Sequence, residues 1–122
     1  MSSASIAIVD DDEAVREAMK TLVRSLGYNA STFGSAEEFI NSEQVDDTSF
    51  LITDLHMPGL SGLDLQDRLI AKGHRIPIIF ITGFPEDGVR ARAMNAGAVG
   101  FLSKPCNVNQ LIGCLDTALK AS

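Results

Sequence analysis

The chain has 122 residues, 45% of them hydrophobic, and 16 acidic against 10 basic side chains give a formal net charge of −6. That length makes one domain able to bury a core without a disulfide scaffold or structural metal, and an ordinary apolar share excludes disorder. The negative balance excludes direct binding to a nucleic acid backbone, which needs clustered cations, so any such role belongs to another domain.

The longest strongly apolar run, Ile76 to Ile81, is interrupted by Pro77 and falls far short of the ~20 residues of a bilayer span. Met1 to Ser5 lacks the basic flank and apolar stretch of a signal peptide. A cytoplasmic location without membrane contact is the expectation. Cys106 and Cys114 are too few for a disulfide framework or zinc site and read as small apolar fillers.

In chain order, Ile6-Val9 is a continuous apolar run, and Val15, Ala18, Met19, Leu22, Val23 and Leu26 then recur at helical spacing up to Gly27. Tyr28 to Phe33 predicts a second strand, and Ser35-Ala36-Glu37-Glu38 is a capping-box sequence opening a short helix through Phe39 and Ile40. Phe50 to Thr53 predicts a third strand. A turn-rich stretch, Pro58 to Gly62, separates it from a helix carrying Leu63, Leu65, Leu69 and Ile70. Ile78 to Ile81 is the fourth strand, followed by a helix from about Glu86 to Asn95 ended by Gly97. A short strand around Phe101 and Leu102 and a helix with Val108, Leu111, Ile112, Leu115 and Leu119 on one stripe complete the chain.

Continuous rather than alternating apolar strands indicate a parallel sheet covered on both faces. The expected fold is α/β: a doubly wound five-stranded parallel sheet, (βα)5 and flavodoxin-like, with strand order 2-1-3-4-5. In such sheets ligands bind beyond the carboxyl ends of the strands. Four runs end there in a reactive group: Asp10 and Asp11 after the first, Asp54 after the third, Thr82 after the fourth and Lys104 after the last.

Each residue has an ordinary structural reading. Acids after a strand cap the next helix, which suffices for Asp12 and Glu13; Asp54 reads as a turn former, Thr82 as a strand residue and Lys104 as a solvated cation. The set is more coherent than its members. In the 2-1-3-4-5 order the carboxylates of Asp10, Asp11 and Asp54 converge, and mutual repulsion raises one pKa unless a cation intervenes. Three carboxylates and one lysine leave a charge of −2, matched by one Mg²⁺, an ion that suits few oxygen ligands plus phosphate. Phosphoryl transfer needs only a nucleophile in line with a metal and cations around it, and a carboxylate serves as that nucleophile.

Ile8-Val9-Asp10-Asp11, Thr53-Asp54-Leu55-His56-Met57-Pro58-Gly59-Leu60-Ser61-Gly62, Ile81-Thr82-Gly83 and Phe101-Leu102-Ser103-Lys104-Pro105 stand in order along the chain. In these motifs the chain resembles, over residues 1–122, the receiver domain of bacterial two-component response regulators, most of all the nitrogen-fixation and LuxR-type transcriptional regulators. The resemblance implies that Asp54 is the phosphoacceptor and that Asp11, Asp54 and the backbone carbonyl of His56 hold Mg²⁺, with Asp10 doing so chiefly through water and Mn²⁺ or Ca²⁺ able to substitute. Thr82 would donate its hydroxyl to the phosphoryl group, Lys104 would pair with it, and Phe101 would turn inward as the aromatic switch. It further implies a cis peptide at Lys104-Pro105, and lifetime tuning by His56 and Phe84.

The partners implied are a sensor histidine kinase or phosphotransfer protein and a phosphorylation-dependent homodimer through the face of helix 4, strand 5 and helix 5, where Val89, Arg90, Val99 and Leu111 are candidate contacts. The domain would be no enzyme beyond its own phosphorylation and dephosphorylation. Its output would be transcription regulation within a longer chain, or, alternatively, a phosphorelay or protein interaction as a stand-alone receiver. A haloacid-dehalogenase-type phosphatase and a flavodoxin-like flavin binder are the rival classes. The first wants an aspartate where His56 stands; the second wants a neutral loop where Asp10 to Glu13 stand.

Overall fold

The computed structural model describes residues 4–104 and 108–120. Its strands β1 (Ser5–Val9), β2 (Asn29–Phe33), β3 (Phe50–Asp54), β4 (Ile78–Thr82) and β5 (Gly100–Ser103) alternate with helices α1 (Glu13–Ser25), α2 (Ala36–Ile40), α3 (Gly62–Ala71), α4 (Asp87–Asn95) and α5 (Val108–Lys120). All pairings are parallel and the order is β2-β1-β3-β4-β5, as the apolar runs predict.

Strands β3 and β4 are buried at every residue, which only a sheet covered on both faces allows. Alternate residues serve the two layers. Ile6, Ile8, Phe50, Ile52, Ile79 and Ile81 pack with Met19 and Val23 of α1 and Leu111 and Leu115 of α5. Ala7, Val9, Leu51 and Phe80 face the other way, onto Phe39 of α2, Leu65 and Leu69 of α3 and Ala93 of α4. The registers Val9↔Thr53, Asp54↔Ile81 and Thr82↔Ser103 align the strand ends along one edge.

Several local expectations change. Ser35 accepts the Glu38 N–H at 3.1 Å, but the Glu38 carboxylate reaches past Ser35 to the N–H of Gly34 at 3.0 Å, so the box is not reciprocal. The reciprocal box joins Ser61 of the expected turn to Asp64 of the expected helix, and makes Gly62 the first residue of α3. A 3-10 turn at Val45–Asp47 has no sequence forewarning. Helix α4 begins at Asp87, with Glu86 as its cap residue. Leu111 is 0% exposed and is no surface contact, because it faces the sheet; Arg90 and Val99 are exposed and Val89 is half-buried. Cys114 is a half-buried thiol whose pKa burial pushes up, as a filler requires. Cys106 lies outside the described residues.

Candidate functional site

Asp10 follows β1, Asp54 and Thr82 close β3 and β4, and Lys104 follows β5, so four neighbouring strands deliver one constellation. Oxygens of Asp10, Asp11 and Asp54 all lie within 4.8 Å of one another. Asp10 and Asp54 are buried, 3% and 7% exposed, while Asp11 is open to solvent. The Lys104 ammonium bridges the buried pair, donating to Asp54 Oδ2 at 2.9 Å and Asp10 Oδ2 at 3.4 Å. Its own N–H donates to the Thr82 carbonyl at 2.8 Å, anchoring the end of β5.

Short-range bonds aim each group. Asp10 Oδ1 accepts the Asp12 N–H at 2.9 Å, and Asp12 in turn caps α1 by accepting from Ala14 and Val15. The other Asp54 oxygen, Oδ1, accepts the His56 N–H at 3.2 Å. Behind Asp54 the chain comes back very close: a Cβ on Gly62 would stand 2.6 Å from the Asp54 carbonyl oxygen and 3.0 Å from the Phe80 ring. Glycine at 62 is therefore a condition of the loop's path.

Burial pushes the Asp10 carboxyl above its ordinary value; the charge of Asp54 adds to this, while the Asp12 N–H and Lys104 oppose it. For Lys104 burial works downward, but the bond to Asp54 and the charge of Asp10 outweigh it and leave its pKa raised. Two buried carboxylates thus share one cation. The chemistry of the donors, all oxygen and with one exposed member, fits a hard divalent cation.

Thr82 is fully buried and its Oγ1 accepts the Phe84 N–H at 3.0 Å, which leaves the hydroxyl proton for an acceptor in the site. Phe84, 75% exposed, meets the exposed His56 ring edge to face, with centroids 6.2 Å apart. These two side chains come together beside the site from separate loops. Phe101 is half-buried, its ring 6.3 Å from that of Phe80, on the side of the sheet that carries α4. Pro105, the second member of the expected cis peptide, lies outside the described residues.

Sequence reasoning overlooked two contributors, Gly62 and Arg16. Arg16 donates from Nη1 to the Asp10 carbonyl at 2.7 Å. Its place six residues after Asp10 was the one available signal, since the start of the first helix faces the strand end. A cleft of about 450 Å³ lies at the opposite edge of the sheet, between His74 to Ile78 and Ala96 to Val99, and contains none of these residues.

Among the described residues no helix is long and apolar enough to cross a membrane. Residues 6–116 match the family described as the response regulator receiver domain. The response regulator protein TmoT of Ectopseudomonas mendocina is 45% identical over 115 residues, covering 94% of this chain and 52% of that protein. The transcriptional regulatory protein FixJ of Azorhizobium caulinodans is 34% identical over 120 residues, covering 98% and 57%. The solved structure of the response regulator StyR superimposes with a TM-score of 0.90 at 37% identity, over 98% of this chain and 61% of that one. The chain thus spans about half the length of the curated relatives it matches.

Proposed function

Since the chain belongs to the response regulator receiver domain family, we propose that it is a phosphorylation-operated switch whose acceptor is Asp54. A sensor histidine kinase or phosphotransfer protein presents a phosphohistidine. An Asp54 carboxylate oxygen attacks phosphorus in line, the P–N bond breaks, and the imidazole leaves with the electron pair. Mg²⁺, or Mn²⁺ or Ca²⁺ in its place, would be held by the side chains of Asp10, Asp11 and Asp54 and the His56 carbonyl, and supplies charge neutralisation to the phosphoryl oxygens.

The chain's own groups do the rest. Lys104, already bonded to Asp54 Oδ2, transfers its contact to a phosphoryl oxygen. Thr82 donates its free hydroxyl proton to another. A phosphoryl group brings about −1.5 to −2 charges and strong acceptors, enough to bias a two-state element. Drawing Thr82 towards it vacates space into which Phe101 turns, and the change reaches the face of α4, β5 and α5. Homodimerisation there, a cytoplasmic setting and, in a longer chain, control of transcription complete the reading. The domain catalyses no other reaction.

The observation that carries this reading is the Lys104 ammonium shared by Asp54 and Asp10 at one strand edge. Incubation with acetyl phosphate and Mg²⁺, followed by mass spectrometry, is expected to add one phosphoryl group to the native chain and none to Asp54→Asn. Equal labelling of the variant refutes the acceptor. In the same assay Phe84→Ala, which removes the ring packed on His56, is expected to shorten the acyl phosphate lifetime by opening the path of the attacking water; an unchanged lifetime removes Phe84 from that role.

A further inference from the structure

The Asp10 carbonyl oxygen belongs to the peptide plane that joins Asp10 to Asp11. That plane is the backbone link between the two side chains, so its orientation bears on where both carboxylates point. Arg16, half-buried near the start of α1, donates to this oxygen at 2.7 Å, a short, charge-assisted bond. The preceding peptide, Val9-Asp10, is tied to the neighbouring strand, because the Asp10 N–H donates to the Phe33 carbonyl at 3.1 Å.

The guanidinium sits against the turn after β2. A Cβ built on Gly34 would have Arg16 Nη1 at 3.6 Å and Glu38 Oε2 at 3.5 Å, so cation and carboxylate flank one point where the turn after β2 passes. Glu38 Oε2 also accepts the Gly34 N–H at 3.0 Å. Arg16 thus lies beside the turn after β2 while it holds the loop that carries the acidic pair, through a rigid planar donor that an ammonium does not reproduce.

We propose that Arg16 is a positioning residue of the metal-binding site, acting through the Asp10-Asp11 peptide to aim both carboxylates at Asp54. The inference rests on the reading of Asp10, Asp11 and Asp54 as cation ligands. Groups that orient metal ligands without touching the ion typically govern about 10–100-fold in affinity.

The test is Mg²⁺ affinity, read from the backbone amide shifts of Asp11 and Leu55 as Mg²⁺ alone is titrated into the native chain, Arg16→Met and Arg16→Lys, with urea unfolding measured in parallel. Arg16→Met is expected to bind Mg²⁺ about tenfold more weakly, and Arg16→Lys to recover part of that loss. Native affinity in Arg16→Met overturns the proposal. So do equal losses in both variants that track lost global stability, since Arg16 would then be a general packing residue. Should Arg16→Met fail to fold, Arg16→Gln takes its place with the same outcomes. Absence of Mg²⁺ binding by the native chain refutes the cation site itself, and this inference with it, an outcome distinct from native binding that Arg16 does not influence.

Discussion

Helix α1 meets the sheet with Met19 and Val23, 7% and 0% exposed, and Asp12 caps it by accepting two N–H groups. Helix α4, which leaves the same strand edge, buries Ala93 alone and has no side-chain bond at its cap residue Glu86. Full burial of a large apolar side chain contributes about 1.5–3 kcal/mol, and a single methyl-sized group about 0.8. Polar ties to α3 stand in for apolar burial in α4. Gln66 Nε2 donates to the Ala93 carbonyl at 3.1 Å, and Arg92 pairs with Asp67 at 2.8 Å, an exposed pair worth about 0–1 kcal/mol. The side that aims the acidic ligands is fixed by packing, and the side proposed as output is fixed by bonds that break cheaply. A switch needs that asymmetry, because a movable element has to come from the weakly held end of the structure.

One substitution made in both helices puts the contrast at risk most directly. Met19→Ala in α1 removes a buried side chain and is expected to cost about 2–3 kcal/mol. Met94→Ala in α4, at a position 39% exposed, is expected to cost about 0.5 kcal/mol or less. Urea unfolding measures both; comparable losses would mean that α4 is anchored as firmly as α1.

An intermediate effect concerns the charge held on the rigid side. Because burial raises the Asp10 pKa, the native state retains a proton that the unfolded chain has lost as pH rises from the ordinary carboxylate range to the folded value. Stability therefore falls through that window and stays lower at neutral pH, by about 1.4 kcal/mol per pK unit. Asp10→Asn is accordingly expected to raise the Tm of the metal-free protein at pH 7, an advantage that fades as pH falls through that window to the ordinary carboxylate range, and to weaken Mg²⁺ binding. A lower Tm at pH 7 would show that the Lys104 bond outweighs the cost of burial.

What could be read beforehand follows the range of the interactions. Ile6-Val9, Phe50-Thr53 and Ile78-Ile81 are unbroken apolar runs, and a run buried on both faces is a local signal; their order and the polar groups that end them follow. Ser61 and Gly62 read as turn, although Ser61 caps α3 and Gly62 opens it, since the Pro58-Gly59 turn signal spreads over its neighbours. Val45–Asp47 is too short to carry any period. Gly62 and Arg16 act on Asp54 and Asp10 through space, and nothing in the flanking sequence records a carbonyl 2.6 Å from an absent Cβ. Leu111 stands on the same apolar stripe as Leu115, and both are fully buried, so the stripe itself places it inward and overrides its reading as a surface contact.

Gln66 is the instructive miss among these, and the smallest expected global effect attaches to it. A glutamine inside a helix reads as a solvent-facing residue, yet this one is 2% exposed and spans from α3 to the Ala93 carbonyl. That carbonyl also accepts the Ala98 N–H at 3.0 Å, so removing Gln66 does not orphan it. Gln66→Leu, similar in size and apolar, is therefore expected to cost only about 1 kcal/mol globally, the net worth of one buried hydrogen bond. The local consequence is larger in proportion, because α4 otherwise rests on Ala93, the half-buried Val89 and the exposed Arg92–Asp67 pair. Hydrogen exchange of the α4 amides is expected to accelerate while that of the α1 amides changes only with global stability. In the phosphorylation assay the variant is expected to take up the phoshoryl group normally, since no atom of Gln66 lies among the groups around Asp54. Uniform acceleration across both helices would make Gln66 an ordinary core residue and would remove the main polar tie on which the contrast between α1 and α4 depends.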